Sequence, residues 1–248
     1  MLKKGLLLTA LFSAGFSLSD KYTELKELGP LPRYKVKSTH EKMKIDGLLS
    51  EKAWGEAPSI TLMFPWDHQA GKKQKTVVKL LRDQEMLFVG YECEDGDITA
   101  NFQNRDDPVY QDDCVEIFIK PSDQTDCYFG LEMNCLGVLF DYFYPFPSEL
   151  DKNFNLDGFQ LKTTLRGTLN KRDDHDQGWT LEVAIPFKNF SKLTKKVPPA
   201  SGEQWRVQIN RWDGVEDQSG RRLSMWCHSG LKEANPHNPE RFGTIVFE

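Results

Sequence analysis

The chain of 248 residues lacks the short motifs by which many enzymes are recognised. It contains no G-x-S-x-G elbow, no phosphate-binding P-loop, no H-E-x-x-H zinc motif and no glycine-rich dinucleotide fingerprint. The remaining catalytic candidate is a carboxylate pair of the kind that glycosidases use, Asp113 and Glu116. An odd offset on a strand places these two side chains on opposite faces. We therefore expect a protein that is not an enzyme.

The chain also lacks an excess of basic charge and any cysteine pattern typical of metal binding. Asp and Glu total 37 against 32 Lys and Arg, for a net charge of -5, which argues against a nucleic-acid partner. No C-x-x-C pair occurs among the five cysteines, Cys93, Cys114, Cys127, Cys135 and Cys227. Cys93 and Cys114, at the end of one predicted strand and the start of another, are the best disulfide candidates, with buried free thiols as the alternative.

Only the N-terminus carries a long apolar run. A basic head at residues 1–4 precedes an apolar stretch at 5–18, and Ser17 and Ser19 suit a cleavage site. The run is shorter than the ~20 apolar residues that a spanning helix needs. We predict a signal peptide at 1–19, a leader at 20–33, and an exported protein, periplasmic or extracellular, with no membrane span.

Helical periodicity is nearly absent, and short β-type runs separated by polar turns take its place. The predicted strands are 34–37, 60–64, 76–81, 86–93, 98–102, 114–120, 127–134, 138–144, 160–165, 179–185, 205–210, 223–227 and 244–247. This spacing predicts an all-β fold, a single antiparallel β-sandwich of immunoglobulin or jelly-roll type over residues 34–248. Short helical turns are expected after Ser50, as an N-cap, and at 187–193, with Trp54, Trp179 and Trp205 in the core.

An acidic loop precedes the most apolar strand of the chain. It contains Asp106, Asp107, Asp112 and Asp113. Loops held by a rigid strand often carry binding groups, although aspartates beside proline are also ordinary turn formers. Carboxylates of this kind can ligate calcium, which takes six to eight oxygen ligands. These four residues are the candidate metal ligands, and no organic cofactor is expected.

Three tryptophans near strand ends, Trp66, Trp212 and Trp226, are candidates for binding a ligand. Indole rings stack on the apolar C–H faces of sugars. Burying ~100 Å² at roughly 25 cal/mol per Å² contributes about 2.5 kcal/mol. One ring alone binds weakly, so we expect two rings that face each other.

Several short motifs occur together in order. They are Ile45-Asp46-Gly47 with Trp54, Asp112-Asp113-x-Val115-Glu116-Ile117-Phe118, Trp179-x-x-Glu182-x-Ala184-Ile185-Pro186, the stretch from Arg206 to Arg211, and Pro239-Glu240-Arg241-Phe242-Gly243. With these motifs the chain resembles carbohydrate-binding module family 9 and its DOMON-like relatives, over nearly the whole mature chain. The resemblance implies a calcium-containing β-sandwich that holds a sugar, in the best-known members at a reducing end.

The resemblance also implies which residues bind the sugar. Tyr110 and Trp226 match the two stacking rings, although the first is a tryptophan in the family. Glu116 and Arg211 match the residues that bond sugar hydroxyls, a task suited to charge-assisted hydrogen bonds. Arg105 and Asn134 are further candidate contacts. We expect a non-catalytic monomer that binds a mono- or oligosaccharide.

Two alternatives remain open from the sequence. Related DOMON-like domains hold haem b, and Met63, Met86, Met133, Met225 and His228 are residues of the types that ligate haem. The other alternative is an accessory or interaction domain whose sugar site has decayed, which the tyrosine at position 110 makes plausible.

Overall fold

The computed structural model describes residues 28–214 and 220–248. The predicted signal peptide at 1–19 and most of the leader lie outside the described residues. Within the described part of the chain, no helix is both long and apolar enough to cross a membrane.

Twelve strands and one short α-helix, α1 (Lys52–Glu56), lie in the described residues, together with 3₁₀ turns at Val109–Gln111, Phe187–Lys192 and Pro239–Arg241. The strands are β1 (Arg33–Ser38), β2 (Ile60–Thr61), β3 (Thr76–Arg82), β4 (Met86–Glu94), β5 (Cys114–Lys120), β6 (Tyr128–Asn134), β7 (Leu139–Tyr144), β8 (Gln160–Arg166), β9 (Gly178–Pro186), β10 (Gln204–Asp213), β11 (Arg222–Met225) and β12 (Gly243–Phe247).

The strands form one curled sheet in the order β7-β6-β5-β10-β12-β1-β3-β4-β9-β8, with β11 on β10 and β2 on β3. We call β5, β6, β7, β10, β11 and β12 the front sheet and β2, β3, β4, β8 and β9 the back sheet; β1 joins them. The all-β prediction is confirmed. Pairing is antiparallel except at β1, which runs parallel to both β12 and β3 and so departs from the fully antiparallel prediction.

Both faces of the front sheet are covered. On β5, Val115, Ile117 and Ile119 belong to the main core, whereas Cys114 and Phe118 belong to a second apolar cluster. Because successive side chains alternate between faces, Glu116 shares the face of Cys114 and Phe118. Every residue of β5 is therefore buried, which explains its nearly continuous apolar sequence.

The predicted core tryptophans are confirmed, since Trp54, Trp179 and Trp205 are all at most 1% exposed. The indole N–H of Trp54 donates to Glu182 over 2.8 Å, and the other oxygen of Glu182 accepts the backbone N–H groups of Asp46 and Gly47. These bonds fix the turn before α1. Ser50 is not the N-cap, because Glu51 occupies that position without a side-chain bond.

Residues 98–102 form no strand, and the prediction of one there is wrong. Their five consecutive backbone N–H groups all donate to side-chain oxygens rather than to another strand. The acceptors are Asp176, Asp113, Asn170 and Asp112, the last of which accepts two of the five. Side chains satisfy the donors that a sheet ladder would otherwise satisfy.

The predicted disulfide between Cys93 and Cys114 is also absent, as all five thiols are free. Cys93 packs in the main core, whereas Cys114 packs in the second cluster on the other face of the front sheet. The two side chains therefore lie in different layers of the molecule.

Candidate functional site

A pocket of about 390 Å³ lies on the outer face of the front sheet, a volume within the range of small-molecule sites. Neighbouring strands place side chains along it: Glu116 from β5, Glu132 from β6, Phe140 and Tyr142 from β7, and Trp212 from β10. Loops supply the remainder, namely Tyr110, Leu150, Lys152, Arg221 and residues 234–237.

Strand register builds the polar part of this pocket. Glu116 pairs directly with Glu132 on one side and with Asn210 on the other. The Asn210 side-chain amide donates to Glu116 Oε2 over 3.3 Å, and the Tyr142 hydroxyl donates to Glu132 Oε1 over 2.9 Å. Both glutamates are almost fully buried.

Burial dominates the electrostatics of the glutamate pair. It raises the pKa of Glu116 to about 7, against smaller lowering effects of Arg221 and of hydrogen bonds from Asn210 and Trp212. Burial, and secondarily the charge of Glu116, raises the pKa of Glu132 well above its usual value. A carboxyl group favours its neutral form where burial outweighs the effect of nearby cations.

Tyr110 forms an accessible part of the pocket wall, with 37% of its surface exposed. Its ring centroid lies 6.1 Å from that of Phe140. Arg221 donates to the main-chain carbonyl oxygens of Tyr110 and Gly214, and its guanidinium lies 4.2 Å above the Trp212 ring. Arg221 thus ties the Tyr110 loop to the loop after β10.

His237 holds the loop at residues 234–237 against the front sheet. Its ring stacks on Phe118 at a centroid distance of 4.9 Å and shares a 2.7 Å hydrogen bond with the Tyr128 hydroxyl. Burial lowers the pKa of His237 to about 4, so the ring is neutral at ordinary pH. This loop therefore forms a fixed wall of the pocket.

A sequence profile of the family described as carbohydrate family 9 binding domain-like matches residues 45–248. The chain belongs to this family. The match includes every strand except β1 and all the residues that line the pocket. No curated protein matches the chain.

Solved structures share the fold of this family 9-like domain. A protein of Bacteroides uniformis described as a proposed carbohydrate-binding protein has 18% identity and a TM-score of 0.74, covering 88% of this chain and 100% of its own. A family 9 module of Caldicellulosiruptor kristjanssonii in complex with cellotriose has 21% identity and a TM-score of 0.61, covering 87% and 93%. Its complex with glucose has 19% identity and a TM-score of 0.59, covering 86% and 95%.

The structure brings together only part of the predicted sugar site. Tyr110 and Glu116 both line the pocket. Trp226 does not line the pocket, because it is only 6% exposed and belongs to the main core. Its ring packs so closely against Gly243 that a Cβ atom at that position would collide with it. A ring buried in this way cannot stack on a ligand, so the expected pairing of Trp226 with Tyr110 is corrected. Of the other two candidate tryptophans, Trp212 lines the pocket and Trp66 is buried.

Three further predicted contacts are engaged elsewhere. Arg211 is fully buried and bonds Asp95 and Asp213, each over 2.9 Å. Arg105 forms an ion pair with Asp141, in which its Nη2 donates to both carboxylate oxygens. Asn134 is fully buried; its amide donates to a backbone carbonyl and to Asp112, and its oxygen accepts two backbone N–H groups. None of the three lines the pocket.

Sequence reasoning missed Glu132, the second acidic residue of the pocket. It lies within Tyr128–Asn134, in the stretch Phe129-Gly130-Leu131-Glu132-Met133, where it is the sole charged residue of a buried strand. Glu116 on β5 was identified instead through the resemblance. A charged residue inside an apolar strand indicates either a buried pair or a site, and here the two glutamates lie side by side.

The four candidate calcium ligands do not converge. Asp106 and Asp107 lie in an exposed or half-exposed loop, where Asp107 accepts backbone N–H groups of the same loop. Both oxygens of Asp112 accept hydrogen bonds, from residues 101, 102 and 134. Both oxygens of Asp113 also accept hydrogen bonds, from residues 99 and 214. Turn formation and loop support account for these residues, so the predicted set does not fit one ion.

A different acidic group does converge. Among the residues that the structure describes, Asp95, Asp113 and Asp213 are the one set of three whose ligand atoms lie within 4.8 Å of one another. The Arg211 guanidinium bonds two of them, and Arg222 bonds Asp213 over 2.6 Å. A calcium ion there would compete with cations already in place, so this donor set does not fit the implied metal.

The residues named for haem ligation lie in separate places. Met133 belongs to the main core, and Met86 packs against the cluster around Trp54. Met63 and Met225 pair through their backbones, and His228 packs edge-on against Trp66 at 5.1 Å. This arrangement offers no support for a haem site.

Proposed function

We propose that the chain is an exported, non-catalytic carbohydrate-binding domain that binds a mono- or oligosaccharide in the pocket beside Tyr110. The observation that carries this proposal is the combination of an accessible aromatic ring with buried hydrogen-bonding carboxyl groups in one pocket of about 390 Å³. Family membership supports it, as do the folds of the modules whose structures contain cellotriose and glucose.

In this proposal, the ring of Tyr110 stacks on the apolar face of a sugar, and Glu116 accepts hydrogen bonds from its hydroxyl groups. Trp212 is present in the pocket, but the guanidinium of Arg221 lies above its ring. The stack is therefore one-sided at Tyr110, with loop 234–237 contributing other contacts. A single stacking ring favours weak binding.

Calorimetric titration with glucose and cellotriose tests the proposal. We expect wild-type protein to bind at least one of them, and Tyr110→Ala to weaken binding by about 2.5 kcal/mol, the value for losing ~100 Å² of stacking. Leu48→Ala is the matched control, because Leu48 is an exposed apolar residue that does not line the pocket. This control should bind as tightly as wild type.

Two results would contradict the proposal. One is wild-type protein that binds no sugar across a glycan array, which would favour the decayed-site alternative. The other is Tyr110→Ala that binds as tightly as Leu48→Ala, which would place any sugar elsewhere on the domain.

A further inference from the structure

On the basis of the sugar site proposed above, we propose that Glu132 is a second ligand-binding carboxyl group, and that it shares a single proton with Glu116 in the sugar-binding state. This pair would recognise an uncharged sugar hydroxyl as both donor and acceptor. The resemblance identified Glu116 and did not identify Glu132.

Geometry places the two carboxyl groups together. Glu116 and Glu132 occupy directly opposite positions on β5 and β6, on the face that forms the pocket. Side chains at such positions have Cβ atoms about 4.5–5.5 Å apart, within reach of a shared proton or a common ligand. Neither residue can turn away from the other, because the main core lies on the opposite face of both strands.

The hydrogen bonds of Glu132 are incomplete. Its Oε1 accepts from the Tyr142 hydroxyl, but its Oε2 is buried without a partner among the described residues, as is Oδ1 of Asn210 in the same row. A buried polar atom without a partner is costly. An unpartnered carboxyl oxygen in the lining of a pocket therefore indicates a group that a ligand completes.

Burial outweighs the influence of the cations near the pair. The hydrogen bonds to the two glutamates come from the uncharged Tyr142, Asn210 and Trp212 side chains. The charged and titratable groups that face the pair from the surrounding strands and loops are Cys114, Tyr128, Tyr142, Lys152, Arg221 and His237. Lys152 and Arg221 lower the carboxyl pKa values, but burial outweighs both, and His237 is neutral.

A shared proton has a consequence for ligand choice. Two ionised carboxylates only accept hydrogen bonds and repel each other, whereas a carboxylate beside a carboxylic acid offers one acceptor and one donor. A sugar hydroxyl also donates and accepts, so it satisfies this mixed pair. As pH rises and the remaining proton leaves to solvent, the donor is lost and sugar affinity falls.

Sugar titrations across pH test the inference with Glu132→Gln, because an amide keeps a donor and an acceptor but cannot lose a proton. From neutral into alkaline pH, as the remaining proton leaves, wild-type affinity should fall about tenfold or more, equivalent to about 1.4 kcal/mol. Glu132→Gln should bind with a nearly flat profile. Glu92→Gln, on an exposed position of the back sheet, is the control and should follow wild type.

Infrared difference spectra provide a readout that needs no sugar. Wild type minus Glu132→Gln should show the C=O stretch of a protonated carboxyl group at neutral pH, and this band should disappear in alkaline solution. Absence of the band overturns the shared proton whether or not a sugar binds. Parallel pH profiles for wild type and Glu132→Gln also overturn it, whereas failure of every sugar to bind, with the band present, refutes only the sugar-binding function.

Discussion

Two groups of buried carboxyl groups lie in this domain, and they are stabilised in different ways. Asp95, Asp113 and Asp213 surround the Arg211 guanidinium, and Arg222 adds a second cation at Asp213. The pair of Glu116 and Glu132 instead receives hydrogen bonds from uncharged groups. A buried acid can be stabilised by a cation or by a proton, and the two groups differ in which of these they use.

The difference separates a structural cluster from the proposed binding site. Arg211 donates to Asp95, Asp213, Thr76 and the Glu94 carbonyl, which connects β10 to β3 and to the end of β4. The aspartate cluster is therefore part of the connection between the front and back sheets. The glutamate pair has an unpartnered oxygen and lines a pocket, and in our proposal a ligand completes its hydrogen bonds.

The largest expected effect comes from removing the cation of the aspartate cluster. Arg211→Met leaves buried carboxylates without their partner, and we expect a loss of about 3–5 kcal/mol in the free energy of unfolding. Urea unfolding followed by tryptophan fluorescence measures it. The fluorescence signal is suitable because Trp179 lies beside Arg211 at 5.9 Å.

Arg206→Met is the control on the same strand, since Arg206 is half-buried and bonds only backbone carbonyls. Its loss should cost about 1 kcal/mol, as for ordinary hydrogen bonds. Equal losses in the two variants would show that Arg211 is not the neutralising cation. Calcium should leave wild-type stability unchanged, and a calcium-dependent rise in wild type would mean that the ion competes successfully with Arg211.

The glutamate pair should reveal itself in the pH dependence of stability. The pKa of Glu116 is about 7 in the folded protein, above its usual value of 4.5, because burial favours the neutral form. Its contribution is complete below pH 4.5 and is lost as pH rises through about 7, a change of about 3 kcal/mol at most. Wild type should therefore lose stability over this range.

Asp95 and Asp113 also have raised pKa values, owing first to burial, so the comparison with a variant isolates the pair. Glu116→Gln should lose less stability than wild type between about pH 5 and about pH 8, by up to about 3 kcal/mol. Thermal unfolding scans of the two proteins measure the difference. Coincident curves would show that the pKa of Glu116 is not raised in the folded protein. The glutamate pair would then not differ from the aspartate cluster in the way described above.

Much of the fold could be predicted from local sequence. Strand β5 at Cys114–Lys120 was predicted with its observed bounds, and the other observed strands were predicted to within a few residues at their ends. Periodicity and turn residues carry this information because they are local. The false strand at 98–102 shows the limit: its apolar residues suit a strand, but remote side chains from positions 112, 113, 170 and 176 take its N–H groups.

The site was less predictable because it depends on pairing between strands. Glu116 and Tyr110 were found through resemblance and position, and both line the pocket. Trp226 and Arg211 were assigned by the same resemblance, yet register directs Trp226 into the main core and Arg211 towards the aspartates. Glu132 became visible only when β6 was placed beside β5. A single-residue change of register reverses which face a side chain occupies.

Asp112 represents a third way of stabilising a buried carboxylate and provides the smallest of these tests. Its Oδ1 accepts the backbone N–H of Asn101, and its Oδ2 accepts the N–H of Phe102 and the Asn134 amide. Asp112→Asn replaces one acceptor by a donor that faces other donors, at a cost of about 1–3 kcal/mol. Asp107→Asn is the control, because its oxygen accepts similar N–H groups in an exposed loop, and it should cost roughly 0.5 kcal/mol or less. Urea unfolding measures the free energy of unfolding of both variants. Equal losses would mean that burial adds nothing to the hydrogen bonds of Asp112. Backbone N–H groups would then not stabilise a buried carboxylate in the way that a guanidinium or a proton does.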